Sequence, residues 1–210
     1  MKKKLKYIFL KINQNMTEKE IKVFCKQLCR SISLRYASHL IKYDNHNGIA
    51  QMRDDQLFLD LNTLYRDYPS YYLSKSPIEE HNVDLSSSGI LTFVWDKDRF
   101  DGRLIDGRKN DFKWMYDSIN HYVTLIKPFD IYIVTGGNHS IFYGMFYSGG
   151  AIKCNNAIDY TNMLKEFNIT EKYFIDSNGN KYKKSVFMEI HPELETLFLL
   201  GKKLIEINES

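Results

Sequence analysis

Apolar positions recur along this chain with two different periods, and the change of period divides it. After Thr17 they fall at Ile21, Phe24, Cys25, Leu28, Ile32 and Tyr36, intervals that place them on one face of a helix. Thr17 with Glu20 three positions on is a capping box that opens such a helix. The polar run Asp44, Asn45, His46, Asn47 and Gly48 is turn chemistry that ends it. A strand-like segment at 6–12 comes first. Leu57, Leu61, Leu64 and Tyr65 predict a second helix that stops at Tyr68-Pro69, because the residue before a proline avoids helical backbone. Segment 74–88 holds Pro77 and three consecutive serines without any period, so a connector is expected there.

Beyond that segment the pattern turns β-rich. The run 89–95 predicts a strand, followed by the charged stretch Asp96, Lys97, Asp98, Arg99, Asp101 and Arg103 as a loop. Phe112, Met115, Ile119, Tyr122 and Val123 are spaced for a helix over about 110–125. Segment 128–134 predicts a second strand that runs into Gly136-Gly137-Asn138-His139-Ser140, and a short helix over 141–147 is closed by Gly149-Gly150. A third strand is expected at 151–154. Tyr173-Phe174-Ile175 and 182–187 flank Asn178-Gly179, a tight-turn pair that predicts a hairpin. Pro192 opens a last helix that carries Leu194, Leu197, Phe198, Leu204 and Ile205 inward. The expected fold class is α+β: a mainly helical section 1–83, an α/β module 84–160, and a hairpin plus helix 161–210 packed on the same core.

Composition narrows the functional classes. A chain of 210 residues with 43% hydrophobic content can bury a real core, and its apolar runs fall short of the roughly 18 residues a membrane helix needs. The net charge of +3, from 29 basic and 26 acidic residues, allows a nucleic-acid partner without demanding one. Cys25, Cys29 and Cys154 lack the spacing of a disulfide scaffold, which points to the cytoplasm. Cys25 and Cys29 lie one helical turn apart and are expected as core thiols rather than half a metal site. The lysines at 2–4 are followed by a stretch that Lys6 and Lys11 interrupt, unlike an export signal. The Lys, Asn and Ile bias suggests an AT-rich bacterial or phage genome.

The chemistry concentrates at Gly136-Gly137-Asn138-His139-Ser140. A strand ending in two glycines and turning into a helix gathers backbone N–H groups at the positive end of the helix dipole, where anions bind. The same residues also serve as an ordinary tight turn and N-cap. The charged stretch 96–103 follows the preceding strand, and parallel pairing of the two strands would bring it beside the glycine turn. Among the other histidines, His121 is expected on the surface of the middle helix and His191 at a helix start, while His39, His46 and His81 lack metal spacing. Tyr65, Tyr68, Tyr71 and Tyr72 can stack bases, though an aromatic cluster at a helix end is usually packing.

These residues resemble the ParB/sulfiredoxin-like fold over about 90–154. Val94-Trp95-Asp96-Lys97-Asp98-Arg99 lines up with the family's early strand and charged loop, 112–122 with its middle helix, and 136–140 with its phosphate-gripping turn. In sulfiredoxins that turn is Gly-Gly-Cys-His-Arg. Asn138 and Ser140 here replace the reactive cysteine and the arginine, so sulfinic-acid repair is not expected. In ParB-type proteins the turn is Gly-Glu-Arg-Arg or Gly-Asn-His-Arg, and the resemblance implies a phosphate-bearing ligand, a nucleotide or a nucleic-acid backbone. Gly136, Gly137, Asn138 and Ser140 are its expected contacts, with Arg99 or Arg103 supplying the missing guanidinium. His139 and Asp98 are the candidates for proton transfer, and Asp96 and Asp101 those for holding Mg²⁺, in a nucleotide hydrolase, phosphotransferase or nuclease. The alternative is a non-catalytic interaction protein of a phage, mobile element or defence system, with an apolar patch on 17–68 for a protein partner.

Overall fold

The computed structural model describes residues 16–43, 57–59, 73–107 and 113–210. The first helix, α1 (Glu18–Tyr43), begins at the capping box. Thr17 donates its backbone N–H and its hydroxyl to Glu20 Oε2, both at 2.8 Å, and Glu20 N–H returns a bond to Thr17 Oγ1 at 3.3 Å. Ile21, Cys25, Cys29, Ile32, Tyr36 and Leu40 are its buried stripe, while Phe24 and Leu28 pack at its edge. The three cysteines are free and buried, and burial pushes the Cys25 thiol up to about 12, so Cys25 and Cys29 are core residues as expected.

A five-stranded mixed sheet is built from β1 (Ser74–Asp84), β2 (Ile90–Leu91), β3 (Tyr122–Lys127), β4 (Ile131–Gly136) and β5 (Ala151–Asp159), in the order β1-β5-β3-β4-β2. β1 with β5 and β3 with β4 are antiparallel, while β2 with β4 and β3 with β5 are parallel. Between β2 and β3 lies α2 (Lys97–Gly107), and β4 leads into α3 (Asn138–Tyr143), which continues as a π-helical turn over Gly144–Ser148. After β5 come α4 (Thr161–Glu166), a small antiparallel sheet of β6 (Asn168–Ile169), β7 (Tyr173–Ile175) and β8 (Lys181–Lys183), then α5 (Val186–Ile190) and α6 (Glu193–Asn208). The fold is thus α+β.

The inner strands β3 and β4 bury residues on both of their faces and carry near-continuous apolar runs, whereas β1 and β5 keep exposed polar positions. Ile126, Ile131, Ile133 and Ile158 join α1 and α6 in one core. Val123, Val134, Ile152 and Cys154 pack on the other side with Trp114, Ile141 and Met145. The predicted hairpin at Asn178-Gly179 forms between β7 and β8, but its second arm, expected over 182–187, ends at Lys183 and α5 begins at Val186; α6 buries Leu194, Leu197, Phe198, Leu204 and Ile205 as its spacing requires.

Other expectations change. The segment 74–84, expected within a connector, is an eleven-residue strand, so the 83/84 boundary falls inside β1. It is an edge strand with mostly exposed side chains, and Pro77 sits beside a register shift; a polar edge with proline at a bulge does not show the alternation of an inner strand. The helix predicted over about 110–125 does not form across 113–125: residues 113–121 are irregular and β3 begins at Tyr122. Asp117, Ser118 and Asn120 make a turn there, and the β-branched Val123, Thr124 and Ile126 favour the strand. The charged stretch expected as a loop is helical from Lys97, because Asp96 caps it. Finally, Leu57–Leu59 is a bend, with Leu59 bridged to Lys184 rather than helical. The strand-like segment 6–12, the turn at 44–48, the rest of the second helix and Tyr65, Tyr68, Tyr71 and Tyr72 lie outside the described residues. No helix among the described residues is long and apolar enough to cross a membrane.

One arginine fastens α1 to the sheet's connections. Arg30 Nη1 donates to the carbonyls of Leu85 and Ser88 at 2.9 and 3.4 Å, and Nη2 to that of Met145 at 2.8 Å, with the guanidinium 4.9 Å from the Phe146 ring centroid. Arg30→Met keeps the stem and removes every donor, and should cost about 2 to 3 kcal/mol. Urea denaturation checks this as a lower midpoint at an unchanged slope.

Candidate functional site

Strand β2 ends at Leu91, yet the chain that leaves it stays buried: Thr92 and Phe93 are 0% and 4% exposed. Their backbone groups therefore need side-chain partners. Thr92 N–H donates to Ser33 Oγ on α1 at 3.0 Å, and Phe93 N–H to Asn138 Oδ1 at 3.1 Å. The Thr92 hydroxyl also donates to Asn138 Oδ1, at 2.9 Å. Asn138, expected as a ligand contact, is thus buried and holds this segment to α3 instead.

One residue on, His139 Nε2 accepts the backbone N–H of Asp96 at 3.1 Å. Asp96 Oδ1 accepts the Arg99 N–H at 3.0 Å, and its carbonyl accepts Phe100 N–H at 3.0 Å, the pattern of an N-cap. These bonds suspend α2 over the start of α3 and set the direction of Arg99 and Arg103.

The result is a cleft of about 640 Å³ centred on the glycine turn. Arg99 and Arg103 come from α2, Gly136, Gly137, His139 and Ser140 from the turn and α3, and Asp117 and His121 from the irregular segment. Gly137 has φ 76°, and a Cβ there would collide with His121 Cδ2 and the Asn120 carbonyl. The glycines are thus required for the 117–121 turn to close on the strand end. Within that turn His121 Nδ1 accepts the Asp117 N–H at 3.0 Å, and the Asp117 carboxylate accepts from Ile119 N–H at 2.9 Å and Asn120 Nδ2 at 2.5 Å. The Asn120 bond, with those from the backbone, holds Asp117 below its ordinary carboxylate value.

Both imidazoles are held neutral, chiefly by burial. Desolvation lowers His139, with Arg99 and Arg103 adding to it and Asp96 opposing. Desolvation lowers His121 too, against Asp117 and together with Arg103. Each ring spends one nitrogen as an acceptor, so in the neutral tautomer its other nitrogen carries a proton: Nδ1 in His139 and Nε2 in His121. The site therefore presents N–H donors and guanidinium groups, the donor set of an anion pocket.

The predicted site residues divide accordingly. Gly136, Gly137, His139, Ser140, Arg99 and Arg103 line the cleft. Asp98 is exposed on α2 and is not among the lining residues. Asp96 is engaged as the cap, and Asp101 pairs with Lys97 at 2.7 Å. No group of three His, Cys, Asp or Glu side chains that could hold a metal occurs among the described residues, and Asp96 and Asp101 are not among the residues that line the cleft. His121 was missed because it was placed on a helix surface; it is buried and stacks on Trp114 at 5.0 Å. The Asp-Ser-Ile-Asn turn just before a β-branched run was the available signal.

Two measurements check this geometry. Gly137→Ala forces an L side chain into left-handed backbone against His121 and should destabilise by about 2 kcal/mol or more. Calorimetry should show a lower Tm, whereas Ala at Gly179, which also has positive φ but nothing nearby, should cost less. The second concerns pH: a histidine whose folded value lies below its ordinary 6.5 leaves stability complete above about pH 6.5 and lost as pH falls from there through the lowered value. Stability measured at pH 7.5 and 5.0 should drop less in His139→Gln than in the native chain.

None of the curated proteins and none of the solved structures compared with the chain matches it. A family model described as "Family of unknown function (DUF6710)" matches residues 2–210, and the chain belongs to that family.

Proposed function

We propose that the cleft at Gly136-Gly137 binds a phosphate-bearing ligand, either a nucleotide or a nucleic-acid backbone. The observation that carries this is the convergence of two arginines from α2 and two neutral imidazoles on one glycine turn. Phosphate oxygens accept from all of these groups, and guanidinium forks match them in pairs. Asp117 is the carboxylate in the lining, and two of its bonds are to donors of its own turn.

The ParB/sulfiredoxin-like reading draws support from the order β3, β4, glycine turn, α3 and β5. Where that pattern closes the turn with arginine, this chain has Ser140, and Arg99 and Arg103 enter the same cleft from α2. The segment aligned with the family's middle helix, 112–122, departs from it. The proposal is one of binding. His139 Nε2 already accepts a backbone N–H, so in its neutral form this side chain is a donor rather than a base.

The alternative, a protein-interaction role, called for an apolar patch on 17–68. Among the described residues of that section the exposed large apolar side chains are Val23 and Leu34, about 16 Å apart along α1. Among the described residues, these two separated side chains do not make a patch.

Thermal unfolding in EDTA with ATP, CTP, ADP or inorganic phosphate tests the proposal. A ligand at a hundred times its Kd stabilises by about 2.7 kcal/mol, a Tm rise of about 5 to 10 °C for a chain of this size. Arg99→Ala with Arg103→Ala should remove most of the shift. No shift with any of these ligands, nor with a short single-stranded DNA, in the native chain overturns the proposal.

A further inference from the structure

Two exposed aromatic side chains stand at the cleft without lining it. Trp95 packs edge-on to His139, ring centroids 5.4 Å apart, and keeps 41% of its surface exposed. Tyr116 lies 6.2 Å from His121 and is 37% exposed. His139 and His121 both line the cleft, and Gly137 separates them. Ring contacts thus tie Trp95 to one imidazole of the cleft, His139, and Tyr116 to the other, His121. Ile119 and Tyr122, which do line the cleft, are 77% and 51% exposed.

Burying these groups in an unbound protein would be the ordinary outcome; leaving several together at one cationic cleft marks a surface that is covered in use. The charge says by what. Arg99 and Arg103 supply guanidinium groups to the cleft, and the Arg99 guanidinium sits 5.4 Å from the Trp95 ring centroid. A cationic channel flanked by exposed aromatics is how proteins bind single strands, through phosphate contacts and base stacking. A mononucleotide has one base and can use only one of the flanking rings. A duplex keeps its bases stacked within itself and offers them to neither.

We infer that the cleft takes a single-stranded nucleic acid, whose backbone crosses the glycine turn between Arg99 and Arg103 while successive bases stack on Trp95 and on Tyr116. The inference rests on the phosphate-binding reading above and names its substrate class. It needs no high net charge, because stacking supplies much of the affinity.

Fluorescence anisotropy with labelled dT12, the matching U12, a twelve-pair duplex and a labelled mononucleotide tests it, in EDTA and low salt. One of the single strands should bind at least tenfold more tightly than the mononucleotide and the duplex. Tyr116→Ala and Trp95→Ala should each weaken the single strand about 5- to 100-fold and narrow its advantage over the mononucleotide. Tyr116 is exposed, so its variant keeps the test available if Trp95→Ala unfolds, and Trp95→Phe, which retains a ring, should restore most of the binding. A mononucleotide or duplex bound as tightly as both single strands overturns the inference while leaving the phosphate site standing, as does unchanged affinity in Tyr116→Ala and Trp95→Ala. A native chain that binds none of these probes and shows no thermal shift with inorganic phosphate overturns both.

Discussion

The fold turns on one constraint: the chain must leave β2 through the protein interior without a sheet partner. Beyond Leu91 the backbone of Thr92 and Phe93 is buried, and orphaned buried amides cost about 1 to 3 kcal/mol each. Ser33 and Asn138 supply the acceptors. Ser33 Oγ also lies 3.1 Å from the Cys29 carbonyl and 3.3 Å from that of Ile90, so the same hydroxyl ties the seam to α1. Helix α1, the exit of β2 and the start of α3 are thereby fixed relative to one another by short-range polar bonds in a dry setting, where their geometry is most exacting.

The cleft inherits its shape from that seam. Asn138 and His139 are adjacent, and their side chains hold the two ends of 93–96, so α2 cannot shift without breaking a buried bond at one end or the other. Arg99 and Arg103 are long and mobile alone, but the helix that carries them is not. On the opposite side, the 117–121 turn closes against Gly137 because no Cβ intervenes. The cost of this packing is that both imidazoles are desolvated and neutral. What they lose in charge they gain in defined tautomers, since each has one nitrogen occupied by a backbone N–H.

How much of this could be read from sequence depends on whether a residue's role is local. The capping box at Thr17 and Glu20, the Asn178-Gly179 hairpin and the strand-to-glycine-turn unit at 131–140 all follow from neighbours within a few positions, and all formed. The identities of Arg99, Arg103, Gly136, Gly137, His139 and Ser140 as companions followed from one further step, parallel pairing of β2 with β4, which the structure has. What failed was non-local. β1 is a strand only because β5 lies beside it, and its polar sequence records an edge rather than a core. Met115 and Ile119 share a helical spacing with Phe112 and Tyr122, yet they are exposed, and spacing alone cannot tell a helix face from a turn that leads into a strand. Asn138 looked like a ligand contact because its buried partners lie 45 and 46 positions away.

Position 140 shows how the same constraint redistributes charge. Ser140 Oγ accepts the indole N–H of Trp114 at 3.0 Å, and Trp114 stacks on His121. A hydroxyl can accept that bond; an arginine, having donors only, cannot. Arginine at 140 would leave the indole N–H without this acceptor and loosen the segment that carries His121. The guanidinium groups of the cleft accordingly come from outside the turn, from Arg99 and Arg103. Helix α2, already fixed by Asp96 and His139, is the element placed to hold them.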